Sequence, residues 1–165
     1  MLIFPKGAFL PVNTRGVLIR GLILVYHMPN ACLSLIFNDS ALVTLASYSY
    51  ECLTPTEIVY QKPTFVHFYQ REQDMLQWLA IVSHKTIGRR LASLLILLAH
   101  YYAHETPKGL YIPWRLSQTC LARILSTNRA AVSKLMHQWK KRGWVIHDKQ
   151  GWCICDPLAL TSLRS

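Results

Sequence analysis

Leu116-Ser-Gln-Thr-Cys-Leu-Ala-Arg-Ile-Leu-Ser-Thr-Asn-Arg-Ala-Ala-Val-Ser-Lys-Leu-Met-His-Gln-Trp-Lys-Lys-Arg142 reads as two short amphipathic helices around a polar break, Ser126-Thr127-Asn128. In the second helix Val132, Leu135, Met136 and Trp139 recur at the i, i+3, i+4, i+7 spacing of one buried stripe. Its opposite face carries Arg129, Ala130, Ser133, Lys134, His137 and Lys140, which are small or basic and include no carboxylate. That is the layout of a helix-turn-helix. The stripe grips the first helix, and the other face can enter a DNA major groove. Downstream, Arg142-Gly143 supplies a helix stop. Residues 144–147 and 152–155 then flank Asp148-Lys-Gln-Gly151 as a hairpin, the wing of a winged helix-turn-helix.

Upstream, Leu110-Tyr-Ile112 predicts a short strand. Residues 87–104 predict a helix, apolar almost all round at Leu91, Leu94, Leu95, Leu97 and Leu98, hence buried, and ended by Pro107 and Gly109. Over residues 65–84, Phe65, Phe68, Glu72, Met75, Leu79 and Val82 follow alternating steps of three and four, with Tyr69 and Leu76 widening the stripe. A seam of that kind suits a two-helix, homodimeric interface; packing against the chain's own sheet is the alternative. Residues 2–60 read as strands at 17–26, 32–37, 41–45 and 58–60. Pro11, Asn13, Gly16, Pro29-Asn30, Asn38-Asp39-Ser40 and Pro55 mark the turns. An antiparallel sheet or part of a β-roll is expected, small enough to need a partner surface.

Charge is unevenly placed. The chain has 165 residues and a formal net charge of +10. Residues 1–64 and 65–106 each carry four basic and three acidic residues, whereas residues 107–165 carry ten and two. The excess therefore surrounds the helix pair, as phosphate-backbone binding requires. A solvated basic surface is the alternative reading. Hydrophobic content of 52% argues for a packed core rather than disorder. Mean hydropathy is +0.19, yet the longest apolar runs are interrupted by Arg20, His27, Pro29 and His100 and fall short of the ~20 residues of a membrane span. The opening MLIFPKGAFLPV has no basic region ahead of its apolar residues, so no secretory signal is expected, nor a transit peptide.

The five cysteines are Cys32, Cys52, Cys120, Cys153 and Cys155, an odd number without CxxC spacing. A disulfide framework is not expected. Cys153 and Cys155 share a face if they lie on a strand, and a metal site there would need two more ligands. His27, His67, His84, His100, His104, His137 and His147 are scattered, and the eight carboxylates form no catalytic pair. No enzyme, metal or cofactor is expected.

Gly88-Arg-Arg-Leu-Ala-Ser-Leu-Leu-Ile-Leu97, Leu116-Ser117-Gln118, residues 124–135 and the tail Cys155-Asp-Pro-Leu-Ala-Leu-Thr161 carry a family likeness. Together with the order of elements, they resemble the CRP/FNR family of dimeric transcription regulators. The nearest branch is that of the cyanobacterial global nitrogen regulators and their plastid-encoded homologues. The resemblance is firm over residues 84–161; Cys52-Leu-Thr-Pro-Thr-Glu-Ile-Val59 is similar to the last strands of the family's sensor roll.

The resemblance implies an α+β fold in three parts: a truncated, cyclic-nucleotide-binding-like β-roll over 1–62, a long dimerisation helix over 63–85, and a winged helix-turn-helix over 86–165. It implies a homodimer on a pseudo-palindrome in double-stranded DNA, an activator role with RNA polymerase as a partner, and a place in the plastid stroma or a bacterial cytoplasm. Residue by residue, Arg129 matches an arginine that reads a guanine edge, and Lys134 matches a basic DNA-reaching position beside Ser133. Ser117, Gln118 and Asn128 match phosphate-holding positions near helix starts.

Arg71 falls where the nitrogen regulators carry an arginine that senses 2-oxoglutarate. Leu76 stands where an acidic partner is expected, so a degraded effector site is the reading. Ser126 replaces the turn's usual glycine, and Ala130 and Ala131 can add few hydrogen bonds to base readout. The roll also lacks the family's Gly-Glu and Arg-Ser/Thr-Ala elements for a cyclic phosphate, and a cysteine set for an iron–sulfur cluster. A winged helix kept for protein–protein contact within the transcription machinery, without effector sensing, is the competing function.

Overall fold

The computed structural model describes residues 1–27, 31–148 and 150–163; the expected turn at Pro29-Asn30 and Lys149 of the wing tip lie outside them. The chain divides into two units, Met1–Ala80 and Ile81–Ser165.

The first unit holds β1 (Leu2–Phe4), β2 (Arg15–Arg20), β3 (Ile23–His27), β4 (Ala31–Ile36), β5 (Ser40–Val43), β6 (Ser49–Cys52) and β7 (Thr56–Val59). They pair antiparallel in two sheets, ordered β1-β7-β2-β5 and β4-β3-β6. Leu18, Ile23, Val25, Ile36, Leu42 and Ile58 meet in the core, each side chain contributing about 2 kcal/mol by leaving water. The single strand expected over residues 17–26 is instead two strands. Gly21 takes φ +125 between them, where a Cβ would lie 2.7 Å from Thr56 Oγ1. Asn38 Oδ1 accepts the Gly21 N–H at 2.9 Å and secures the corner. β1 and β6 escaped the sequence reading. The former is a three-residue edge strand paired with β7, and the latter alternates half-buried and buried residues.

Helix α1 (Phe65–Ser83) begins in this unit. Its sheet-facing side is polar as well as apolar: Trp78 and Asp74 are buried. The Asp74 carboxylate accepts from Ser40 Oγ at 2.5 Å and from Gln70 Nε2 at 3.0 Å. Four of the expected seam residues do not pack on the sheet. Phe65 is 81% exposed, Phe68 52%, Met75 46% and Leu79 55%.

The second unit comprises α2 (Ile87–Tyr102), β8 (His104–Thr106), β9 (Gly109–Ile112), α3 (Gln118–Ile124), α4 (Arg129–Lys141), β10 (Val145–His147), β11 (Trp152–Ile154) and α5 (Pro157–Ser162). Thr86 caps α2 by accepting the Arg89 N–H at 3.3 Å. The helix stops at Tyr102 rather than His104, because His104 starts a strand that pairs with β9, opposite Tyr111. The resulting sheet runs β10-β11-β9-β8. Helix α5, unassigned from sequence, has Asp156 as its cap and Pro157 in its first turn, and buries Leu160. No helix among the described residues is long and apolar enough to cross a membrane.

Candidate nucleic-acid interface

Ser117 caps α3 by accepting the Cys120 N–H at 3.1 Å, and Leu121, Ala122 and Ile124 are its buried residues. The corner after it is tight. Thr127 N–H donates to Ala122 O at 2.9 Å, while Ser126 takes φ +49. A serine in that left-handed conformation costs about 1 kcal/mol that glycine would avoid. Asn128 then caps α4, its Oδ1 accepting the Ala131 N–H at 2.8 Å. Val132, Met136 and Trp139 are buried and Leu135 is half-buried, so the expected stripe is the inner face of α4. Helix α4 ends as Gly143 adopts φ +72, with Gly143 N–H donating to Lys140 O and Trp144 N–H to Trp139 O, the paired bonds of a Schellman stop.

The outer face follows from the same rotation. Arg129, Ala130, Lys134, His137 and Lys140 are exposed, and Ser133 is half-buried. Among the described residues no carboxylate pairs with Arg129, Lys134 or Lys140. The α4 N-terminus holds no acidic residue, so its unpaired N–H groups and positive dipole end are not neutralised by the chain. The caps Ser117 and Asn128 are exposed, and Gln118, the first residue of α3, is half-buried. Each capping oxygen is occupied within its helix, which leaves Asn128 its amide hydrogens and Ser117 its hydroxyl hydrogen as outward donors.

The wing adds cations that the sequence reading left out. β10 and β11 pair with Val145 opposite Ile154 and His147 opposite Trp152. Asp148 Oδ1 accepts the Gln150 and Gly151 N–H groups, both at 2.7 Å, and these bonds hold its carboxyl below the usual value. Arg115 reaches the same tip, donating to Asp148 O at 3.1 Å, with its Nη1 3.2 Å from His147 Nδ1. Tyr111 OH donates to Asp148 at 3.3 Å; desolvation first, then the neighbouring carboxylate, push its phenol up. Arg142, exposed just past α4, lies over the Trp144 ring at 4.8 Å. Only the basic excess of residues 107–165 signalled Arg115 and Arg142, because their placement depends on sheet pairing and on the helix stop.

Residues 89–163 match the model of the Crp-like helix-turn-helix domain. Over that stretch the chain is similar to Crp-like helix-turn-helix domains. Sequence relatives agree. The putative HTH-type transcriptional regulator ycf28 of Porphyra purpurea is 29% identical over 84 residues, covering 51% of this chain and 35% of that protein. The global nitrogen regulator of Synechococcus elongatus is 25% identical over 80 residues, covering 48% and 36%. The matched stretch thus spans about a third of each relative's length. A solved CRP-family regulator of Thermus thermophilus, TTHB099, superposes with a TM-score of 0.80 at 16% identity, covering 99% of this chain and 96% of that one. At that identity the likeness is one of fold: a β-roll with a C-terminal Crp-like domain. These relatives and neighbours are transcription regulators rather than enzymes.

Arg71 stands in the first unit, away from the helix-turn-helix in sequence. Its Nη1 donates to Leu35 O and its Nη2 to Ser34 Oγ, both at 2.8 Å, which ties α1 to β4. Burial lowers its pKa, and the nearby Asp74 charge works against that shift. Among the described residues no group of three or more His, Cys, Asp or Glu could hold a metal ion.

Proposed function

We propose that this chain is a sequence-specific DNA-binding transcription regulator of the CRP/FNR type, close in role to the nitrogen regulators. One observation carries the reading: α4 turns an exposed cationic, carboxylate-free face outward from a fully formed helix-turn-helix. In this role Arg129 reads a base edge, supported by Ala130, Ser133 and Lys134. His137 and Lys140 follow the groove, while Ser117, Gln118 and Asn128 meet phosphates beside the helix starts. The exposed stripe of Phe65, Phe68, Met75 and Leu79 supports a homodimer built on α1, with Val82 at its end, so that two recognition helices read a pseudo-palindrome about one helical turn apart.

On this reading residues 1–62 are the roll, 63–85 the dimer element and 86–165 the DNA-binding part. Activation through RNA polymerase and residence in the plastid stroma rest on the kinship with ycf28 and the nitrogen regulator. Arg71 already donates to β4, which favours a regulator that does not depend on 2-oxoglutarate.

The test is a fluorescence-anisotropy titration with duplexes selected from a random pool. Arg129→Ala relaxes sequence choice by about 1–3 kcal/mol, whereas Lys140→Ala weakens all sequences alike and flattens the salt slope. Equal losses on selected and random DNA for Arg129→Ala refute the assignment. Absence of any salt-dependent DNA affinity turns the reading toward a protein-contact module.

A further inference from the structure

Cys153 lies in strand β11 and Cys155 one residue past its end, and their Sγ atoms lie 3.8 Å apart. All five cysteines are thiols. Cys153 is buried, with its Sγ 3.5 Å from Lys108 O, while Cys155 is half-buried. Cys155 also occupies a joint. Its N–H donates to Trp144 O at 2.8 Å, and the Asp156 N–H reaches the same oxygen at 3.3 Å. Trp144 directly follows the stop of α4, and its own N–H holds Trp139 O at 2.9 Å. The two thiols therefore sit where the last turn of α4, the wing and α5 meet.

We propose that Cys153 and Cys155 form a reversible dithiol–disulfide pair, oxidised by small-molecule disulfides, whose closure strains the Trp144 joint at the end of α4. Bonded sulfurs stand about 2.05 Å apart, so the pair must close by roughly 1.8 Å. Strand β9 restricts how: a Cβ on Gly109 would lie 2.8 Å from Cys155 Cα, so the chain backs directly onto that residue. Side-chain rotation supplies most of the closure, and the remainder falls on the Cys155 and Asp156 amides at Trp144 O. The small ring is strained, which keeps the bond easily reduced.

Cys155 is the attacking thiol, since it is the more exposed of the two, whereas Cys153 is buried and its thiol is pushed up by that burial. Cys155 gives its proton to solvent, and its thiolate attacks one sulfur of a disulfide R–S–S–R. That bond breaks, and the departing thiolate takes up a proton. Cys153 then loses its proton and attacks Cys155 Sγ, expelling the second thiolate, which is protonated in turn. Two protein thiols are oxidised to one disulfide, and one reagent disulfide is reduced to two thiols.

The full chain is equilibrated in glutathione buffers of rising oxidised fraction, quenched with N-ethylmaleimide and mapped by mass spectrometry. The peptide carrying both cysteines loses two hydrogens, takes no maleimide, and reverts with dithiothreitol. Cys153→Ser halts at a glutathione adduct on Cys155; Cys155→Ser loses no hydrogens. In parallel, tryptophan fluorescence shifts and DNA affinity falls by about 5- to 100-fold, a usual span for coupled equilibria; this last readout rests on the DNA-binding reading above. Maleimide on both thiols at every ratio, a lasting glutathione adduct in the unmodified sequence, or pairing of either residue with Cys120 overturns the proposal. A disulfide that leaves both fluorescence and affinity unchanged overturns the lever at Trp144. If the reduced chain binds no DNA, the DNA-binding reading fails, while mass and fluorescence still decide the thiol pair.

Discussion

Replacing Asn128 by alanine and by aspartate separates two jobs of the α4 N-terminus. Asn128 is exposed, its Oδ1 accepts the Ala131 N–H at 2.8 Å, and the turn that follows has no acidic residue. Asn128→Ala loses the cap and costs about 1 kcal/mol. For a unit of this size that lowers Tm by about 4–8 °C. Asn128→Asp keeps the acceptor and adds a negative charge to the positive end of the helix, stabilising it by about 0.3–1 kcal/mol. DNA binding responds in the opposite sense. The new carboxylate stands where a phosphate is proposed to lie, so the aspartate variant is the weaker binder despite its stability. Cancelling about one phosphate's worth of charge reduces the slope of log K against log salt by about 0.9. The alanine variant alters no charge and keeps the slope.

Thermal unfolding followed by circular dichroism and anisotropy titrations at several salt concentrations measure the two effects separately. An aspartate variant that binds with undiminished affinity and slope refutes the placement of phosphate at this helix start. Unchanged stability in the alanine variant refutes the cap.

Arg71→Ala removes two charge-assisted hydrogen bonds to β4 and destabilises the first unit by about 2 kcal/mol in urea unfolding. Calorimetry of the unmodified chain with 2-oxoglutarate shows no heat of binding; micromolar binding that Arg71→Ala abolishes overturns the anchoring role. Leu79→Asp or Met75→Asp places a charge on the exposed stripe of α1 and leaves the core of the first unit intact, so sedimentation velocity finds these variants monomeric and the unmodified chain in the proposed dimer. A dimer that survives both substitutions removes that stripe from the interface. Asp148 is held below its ordinary value of 3.8 by the Gly151 and Gln150 N–H groups, so its contribution is present above that value and is lost as pH falls through the lower folded value. Asp148→Asn should abolish that acid limb in wing signals followed by NMR, and an unchanged limb assigns it to another group.

Much of the candidate site was legible because it is written in local patterns. The α4 stripe follows from a 3.6-residue period, the corner from Asn128 as a cap, and the helix stop from Gly143; none needs a distant residue. Arg115 was not legible, since it reaches the wing tip only when β9 pairs with β11. Helix α5 has a local start signal of its own, Asp156-Pro157. Arg71 matched a family position, but residue counting could not show that its guanidinium is engaged by Leu35 and Ser34, more than thirty residues away along the chain.

Sequence alone determined a helix-turn-helix with a basic outer face, because side-chain period, capping chemistry and charge density are properties of neighbouring residues. Tertiary structure decided where α2 yields to β8, why residues 17–26 are two strands, and which side of α1 stays exposed. Each of those outcomes turns on a partner from elsewhere in the chain: Tyr111 opposite His104, Thr56 against Gly21, and Ser40 and Leu35 against the polar side of α1. Backbone groups join a strand, and a guanidinium or carboxylate is buried, only when such a partner satisfies them.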